Sequence, residues 1–337
     1  MLLSDQVNQC DFRAGCGRGA ERIVDVVRRT GRQLTVQIFG PLVMYRHGVA
    51  VPARALGGCK PRHLLEILLL NLGTPVSKDC LIDMLWSSRP GDGVMATLES
   101  YVSVIRRAIQ PGMSKAGPLR TTNRAYVMDH DHVELDFALF GSLLEDAKSA
   151  GPRYAYPLLV EALRLSSEPL LAFELTADWA EDARRRHDAQ RVSAMIDAAE
   201  AAAELQKYGE AAQWARDAAR IEPLNERAWI ALIKANEAAG LPAEALAAYE
   251  QCRRTFSGEL ACLPGPALQD AHMRLLRRQA DTDPELSEVM AAILYLGHRL
   301  QQGEHDRRHV EPLGDRQRRQ AASRVLNSFL ERVSASA

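Results

Sequence analysis

At Asp136 the hydrophobic pattern of this 337-residue chain changes character, and the change limits what each part can fold into. Upstream, short alternating runs sit among helical ones: Leu34, Val36 and Ile38 alternate with Thr35 and Gln37, the period of a half-buried strand. Downstream no such alternation recurs. Ala- and Leu-rich helical segments follow one another, punctuated at Gly151-Pro152, Glu168-Pro169, Gly209, Glu222-Pro223, Gly240-Leu241-Pro242 and Pro264-Gly265-Pro266. A mixed head on an all-helical body is the simplest fold compatible with both patterns.

The head has a readable order. Gly40-Pro41 ends the first strand, and extended runs at Leu42–Tyr45 and Val49–Pro52 turn at His47-Gly48. Helix one is expected over Pro61–Leu72, with proline in its first turn. Ser77 caps a second helix, Lys78–Trp86. Ser87–Gly93 is a loop, and a third helix runs from about Val94 to Ile109. Leu119–Thr122 and Tyr126–Met128 then form a hairpin turning at Asn123-Arg124. Strands, three helices and a hairpin are the order of a winged helix-turn-helix, here 33–136. Residues 1–32 read as a loosely ordered extension, with helical character over Glu21–Arg29.

The body, 137–280, reads as a TPR-like array. Glu210-Ala211-Ala212 and Glu244-Ala245-Leu246 lie 34 residues apart, each trio opening the second helix of a helix-turn-helix unit. Residues 281–337 read as a helical and polar tail, with an apolar helix at Val289–Leu300 and an amphipathic one around Ala321–Val333. The fold class is therefore mostly α: a winged helix-turn-helix of α+β type followed by an all-α TPR-like domain.

The third helix carries the functional argument. Met95, Leu98, Val102, Ile105 and Ile109 fall at intervals of three and four, one buried stripe. Thr97, Ser100, Val104 and Arg107 project from the other side, short or flexible side chains that let a helix approach a major groove. Ser and Thr bond bases or phosphates, Val104 can meet a thymine methyl, and Arg107 a guanine edge or a phosphate. Arg106, beside the stripe, suits a phosphate or an internal ion pair. A polar helix face alone is more often mere solubility. The hairpin that follows, with Arg120 and Arg124 at or near its tip, supplies the cations of a DNA-gripping wing.

Charge and motifs exclude other classes. The net charge is −1. Residues 33–136 hold 11 basic against 9 acidic side chains and 137–280 hold 17 against 21, the sign expected for a DNA-binding head on a protein-binding body. Cys10, Cys16, Cys59, Cys80, Cys252 and Cys262 form no CxxC pair and no zinc spacing. His130-Asp131-His132 and His305/His309 lack converging partners, so no metal is expected. Gly57-Gly58-Cys59-Lys60 lacks the spacing of a phosphate-binding loop and reads as a tight turn into helix one, with a backbone phosphate contact as the alternative. With no catalytic or dinucleotide motif, no enzyme and no cofactor are expected. Neither a signal peptide nor a membrane span is visible, which places the chain in the cytoplasm.

These residues resemble the SARP family, the antibiotic-regulatory activators of actinobacteria. Phe39-Gly40-Pro41-Leu42, Gly57-Gly58 and Lys60-Pro61-Arg62 leading to Leu68-Leu69-Leu70-Asn71 resemble the opening of an OmpR-type winged helix. Val76-Ser77, Leu81-Ile82-Asp83 and Leu85-Trp86 resemble its second helix, and Tyr101-Val102-Ser103 with Arg106-Arg107 its recognition helix. Leu135-Asp136 with Phe140, then Trp179-Ala180-Glu181, Glu244-Ala245-Leu246 with Tyr249, and Pro264-Gly265-Pro266-Ala267-Leu268, resemble the bacterial transcriptional activation domain. The resemblance covers about 34–280. It implies an activator that binds direct repeats in double-stranded promoter DNA as a homodimer and recruits RNA polymerase. It adds Ser103 to the DNA-facing set and implies that the loop with Ser87, Ser88, Arg89 and Asp92 faces the polymerase. Two positions depart from the family: Val104 stands where an Arg is usual, and Ala125 where a Gly precedes the wing tyrosine. The other reading is a protein-interaction module of weakened DNA affinity, working through the TPR-like domain.

Overall fold

A computed structural model describes residues 33–86, 93–113, 117–174 and 177–282. The expected segments at 1–32 and beyond 282, including Glu21–Arg29, Val289–Leu300, Ala321–Val333 and His305/His309, lie outside them. The chain forms two compact units, Met1–Ala194 and Met195–Ala337. The first therefore runs past Asp136 and takes in the opening helices of the all-helical region.

In the first unit, β1 (Leu34–Gln37), β2 (Val43–Arg46) and β3 (Val49–Val51) form an antiparallel meander. A strand not anticipated from the sequence, β7 (Val133–Leu135), pairs parallel with β1 and completes the order β3-β2-β1-β7. Its three residues are too few for a periodicity signal. Flanked on both edges, β1 buries Thr35 as well as Leu34 and Val36. A short 3-10 turn, Ala53–Leu56, leads to helix α1, Cys59–Leu70. That helix starts two residues before the expected Pro61 and stops two short of Leu72, because Leu72 N–H already closes a tighter turn onto Leu69 O. Leu64, Leu65, Ile67, Leu68 and Leu69 are all buried, so α1 is covered nearly all round, as such a run requires.

Ser77 caps α2 (Lys78–Leu85) as expected: its Oγ accepts the Cys80 N–H at 3.1 Å. Helix α3 spans Val94–Ile109. Leu98, Val102, Ile105 and Ile109 are buried, joined by Ala108, whereas Met95 in the first turn is only half-buried. Strands β5 (Leu119–Thr122) and β6 (Ala125–Met128) form the hairpin, and a further short strand, β4 (Val76–Ser77), pairs with β6. Helices α4 (Asp136–Ser149) and α5 (Pro152–Leu165) pack on each other, and α6 is Asp178–Glu204. Between α5 and α6 the chain is extended enough for a single antiparallel bridge, Leu170 with Phe39.

Two buried clusters tie α4–α6 to the sheet and α1. The Asp136 carboxylate accepts the backbone N–H groups of Ile38, Phe39 and Phe137 at 2.8–3.0 Å. Burial still raises its pKa to about 6. Beside it, the His187 ring lies against Phe39, Phe137 and Phe140, and burial followed by the Arg191 charge lowers its pKa to about 4, so it is neutral at pH 7. The second cluster centres on Glu174, whose carboxylate pairs with Arg62 and with His63 Nε2 (2.5 Å), while Arg184 donates to its carbonyl at 2.8 Å. Glu66, one turn along α1, is buried with Arg62 3.8 Å away. Burial, reinforced by the Glu174 charge and opposed by Arg62, raises the Glu66 pKa to about 8.

In the second unit α7 (Tyr208–Ile221), α8 (Glu226–Ala238), α9 (Pro242–Leu260) and α10 (Pro266–Thr282) follow one another. Glu210 and Glu244 are the third residues of α7 and α9. The burial pattern repeats with the same 34-residue offset: Ala211 with Ala245, Ala215 with Tyr249, Ala218 with Cys252. Alanines at these contacts let helix backbones approach closely. Glu226 Oε1 accepts the Gly265 N–H at 2.7 Å, fixing the loop into α10 against the start of α8.

Glu66 makes stability pH-dependent. Its folded pKa of about 8 lies above the ordinary 4.5, so the unfolded chain ionises first. Stability from this group is therefore full below pH 4.5 and lost as pH rises towards 8, by up to about 1.4 kcal/mol per unit. Urea titrations of Glu66→Gln between pH 5 and 8 should show a flatter slope than wild type. An unchanged slope contradicts the assignment.

Candidate nucleic-acid interface

Helix α3 and the β5–β6 wing are held as one piece by a few side chains. At the C-terminal end of α3, Gln110 is buried and bridges to the wing: Leu119 N–H donates to its Oε1 at 2.8 Å, and its Nε2 to Met113 O at 3.2 Å. Arg106 reaches across to β5, donating to Leu119 O (3.3 Å) and Thr121 Oγ1 (2.7 Å). Arg46 of β2 donates to Ala108 O at 2.9 Å, a cation at the negative end of the helix. At the wing base, Asp129 takes Arg120 (3.0 Å), His132 Nδ1 (3.1 Å) and the Asp131 N–H (3.2 Å). Burial opposes its charge, but these donors win and its pKa is lowered. Asp129, His130 and Asp131 bring oxygen and nitrogen atoms close enough to hold a cation, but the buried member already balances its charge on Arg120.

At the other end, Lys78 stitches three elements together. Its backbone N–H donates to Arg124 O (2.9 Å), and its Nζ bonds Glu99 Oε1 of α3 (2.6 Å) and lies 5.4 Å from the Tyr126 ring. The bond to Glu99 is the main reason its pKa is raised, so Lys78 stays charged. Lys60 caps the last carbonyl of α2 by donating to Leu85 O, and its Nζ lies 5.9 Å from the Trp86 ring, itself stacked on Tyr101. The Gly57–Lys60 turn thus serves α2.

The expected DNA-facing residues fall into three groups. Thr97, Ser100, Ser103 and Arg107 are exposed on the outer side of α3. Thr97 and Ser103 hydroxyls return to Gly93 O and Glu99 O within the helix, at 3.2 and 2.9 Å. Val104 is half-buried at the edge of that face, beside the Gly57 turn. Arg106 and Arg120 are engaged within the protein, as above. The side chains of Arg107 and Arg124 make no hydrogen bond or ion pair among the described residues and project into solvent. Arg124 occupies the turn with φ of 60°, so the left-handed residue of the wing is Arg124, while Ala125 sits in β6 opposite Thr122. The loop residues Ser87, Ser88, Arg89 and Asp92 lie outside the described residues. Sequence reasoning missed Lys78, Glu99, Gln110 and Asp129. The partners that tie them to other elements lie 9–46 residues away, where no helical spacing pairs them.

A helix and an arginine-tipped wing presented together, joined to alanine-rich helical hairpins, define a winged-helix transcriptional regulator with an all-α second region. Residues 58–124 match the family described as transcriptional regulatory protein, C terminal, and 135–276 the bacterial transcriptional activator domain. The chain thus carries, in order, the two domains found in SARP-family regulators. The regulatory protein DnrI of Streptomyces peucetius is 28% identical over 270 residues, 77% of this chain and 98% of DnrI. AfsR of Streptomyces coelicolor is 31% identical over 261 residues, 76% of this chain but only 25% of AfsR. The structure of Mycobacterium tuberculosis EmbR in complex with a low affinity phosphopeptide shares the fold, with a TM-score of 0.65 over 78% of this chain and 71% of that one at 24% identity. No helix among the described residues is long and apolar enough to cross a membrane.

Arg106 and Arg107 are neighbours with different work to do, and stability separates them. Arg106→Ala should lower stability by about 1–2 kcal/mol, because it strips two hydrogen bonds between helix and wing. Arg107→Ala should change it by less than about 0.5 kcal/mol. Urea midpoints at one pH decide the matter, and equal losses would remove Arg106 from the wing-holding role.

Proposed function

We propose that this regulator binds double-stranded promoter DNA in a sequence-specific manner, placing α3 in the major groove and the wing beside the adjacent backbone. The observation that carries this is the pair Arg107 and Arg124: two unengaged cations, one on the helix and one at the wing tip, on elements fixed to each other by Arg106 and Gln110. Thr97, Ser100, Ser103 and Val104 line the same helix and complete the reading surface. In this reading 33–136 is the DNA-binding domain and 137–280 the regulatory one. The chain acts in the cytoplasm as an activator, without enzymatic chemistry, as a homodimer on direct repeats. It recruits RNA polymerase through the loop that carries Ser87, Ser88, Arg89 and Asp92.

Fluorescence anisotropy of the full chain on promoter duplexes at several salt concentrations tests the core of this reading. Where an arginine contacts only phosphate, its Ala variant should weaken all sequences alike and flatten the salt slope by about one. Where Arg107 reads a guanine, its loss should instead cost about 1–3 kcal/mol of discrimination at one base pair. Val104→Arg restores the cation usual in the family and should raise affinity while steepening the slope. Should the wild type show no salt-dependent binding, and both Ala variants behave like it, the activator reading gives way to that of a protein-interaction module built on the α7–α10 array.

A further inference from the structure

Among the charged side chains on the outer face of α3, one has the wrong sign for a DNA surface. Glu99 is exposed on the recognition helix, its side chain 53% accessible, and it occurs in a run of neutral and basic neighbours. At about 100° per residue, the centre of the exposed face is Ala96, Ser100, Ser103 and Arg107. Glu99 lies at the flank of that face nearer Arg106, whose guanidinium crosses to β5, while Val104 lies at the opposite flank. A lone carboxylate there would be repelled by every phosphate within a Debye length of about 8–10 Å. It is not alone. Glu99 Oε1 is bonded to Lys78 Nζ at 2.6 Å, and Lys78 is itself fixed, with its N–H on Arg124 O and its ammonium near the Tyr126 ring. Glu99 Oε2 takes no hydrogen bond among the described residues. The result is a neutralised, pre-positioned carboxylate that offers lone pairs outward from the helix.

Resting on the DNA-binding reading above, we propose that Glu99 is a specificity-determining residue that accepts the exocyclic amino group of a cytosine in the major groove, with Lys78 as its positioning partner. An ionised carboxylate only accepts hydrogen bonds, so the acceptors of guanine (O6, N7) and thymine (O4) repel it. Adenine offers an amino group but sets its N7 acceptor beside it. Cytosine offers N4–H beside a carbon, the one base edge with a donor and no neighbouring acceptor. Lys78 supplies the second half of the device. Its charge offsets that of Glu99, so the carboxylate meets the duplex as one half of a neutral pair held at the start of α2.

Selection from a randomised duplex pool with the full-length chain and its Glu99→Gln variant, at one fixed salt concentration, tests this. The wild type should prefer C·G at one position by about 5- to 100-fold. Gln pairs naturally with adenine N6 and N7, so the variant should lose that preference and move towards A·T at the same position. Glu99→Ala should lose it without gaining another. Lys78→Gln, which leaves the Glu99 carboxylate unpaired and unheld, should reduce the cytosine preference and weaken binding to all sequences. Urea midpoints of the variants establish that the fold is intact. If the wild type binds selectively and Glu99→Gln alters the preference at no position, the pair is only a latch between α2 and α3 and the assignment is overturned. A wild type without any salt-dependent DNA binding overturns the DNA-binding reading, and this one with it.

Discussion

The carboxylate of Asp136 is where the mixed part of the chain becomes the helical part. It ends β7, begins α4 and receives three backbone N–H groups, two of them from the far end of β1. Ile38 and Phe39 follow directly on β1, past the ladder to β7, where no strand takes up their N–H groups. One side chain thus closes the parallel pair β1–β7 and fixes where the first helix after the sheet departs. Burial raises its pKa to about 6 even against these bonds, so the site keeps a charge that it binds well but solvates poorly. The aromatic packing of Phe39, Phe137, Phe140 and His187 assembles around that junction. It follows that the compact unit reaches Ala194 although the strands stop at Leu135.

The same unit has a second, charged junction, between α1 and the segment before α6. Arg62, His63 and Arg184 all converge on Glu174, and the carboxyl of Glu66 lies beside them with one oxygen lacking a partner. Such a cluster adds little net stability compared with an apolar core, since desolvation consumes most of what pairing returns. What it does fix is register: a one-turn slide of α1 would replace Arg62 and His63 opposite Glu174 by Glu66 and Ile67, or by Gly58 and Cys59. Helix α1 is therefore positioned by a segment that lies within the match to the bacterial transcriptional activator domain. A rearrangement of that segment has a direct mechanical route to α1.

How far the sequence was legible depended on the range of the forces involved. The α3 stripe, the Ser77 cap and the Asn123-Arg124 turn were readable because periodicity, capping and turn chemistry act within a few residues. The 34-residue recurrence was readable because Glu210 and Glu244 repeat one local environment. Strands β4 and β7 were not, since two or three residues carry no period and acquire their identity only from partners some 50–100 residues away. The candidate site divides in the same way. Arg107 and Arg124 could be placed from spacing and turn position alone. That Arg106 and Arg120 are engaged inside the protein, and that Lys78 meets Glu99, depends on how the wing folds back over the helix.

The two departures from the family then have different physical weight. Ala125 costs the wing little: the residue needing a left-handed backbone is Arg124, one position earlier, while Ala125 pairs in β6 like any strand residue. An arginine at φ of 60° pays a modest penalty there, and its carbonyl is held by the Lys78 N–H, which fixes the turn from outside. Val104 matters more, because it removes a cation from the helix without leaving a hole. Its side chain lies against the turn at Gly57, half-buried at the edge of the face. A methyl-bearing residue there suits a thymine or a sugar, and a long cation would have to extend past the turn to reach a phosphate. Lys78 and Arg124 sit together at the α2 start and the wing tip, where the Lys78 charge is matched by Glu99 and that of Arg124 is not. On the DNA-binding reading proposed above, the outer face of α3 then offers one unpaired cation, Arg107, and one anion, Glu99, which reaches that face already balanced by Lys78.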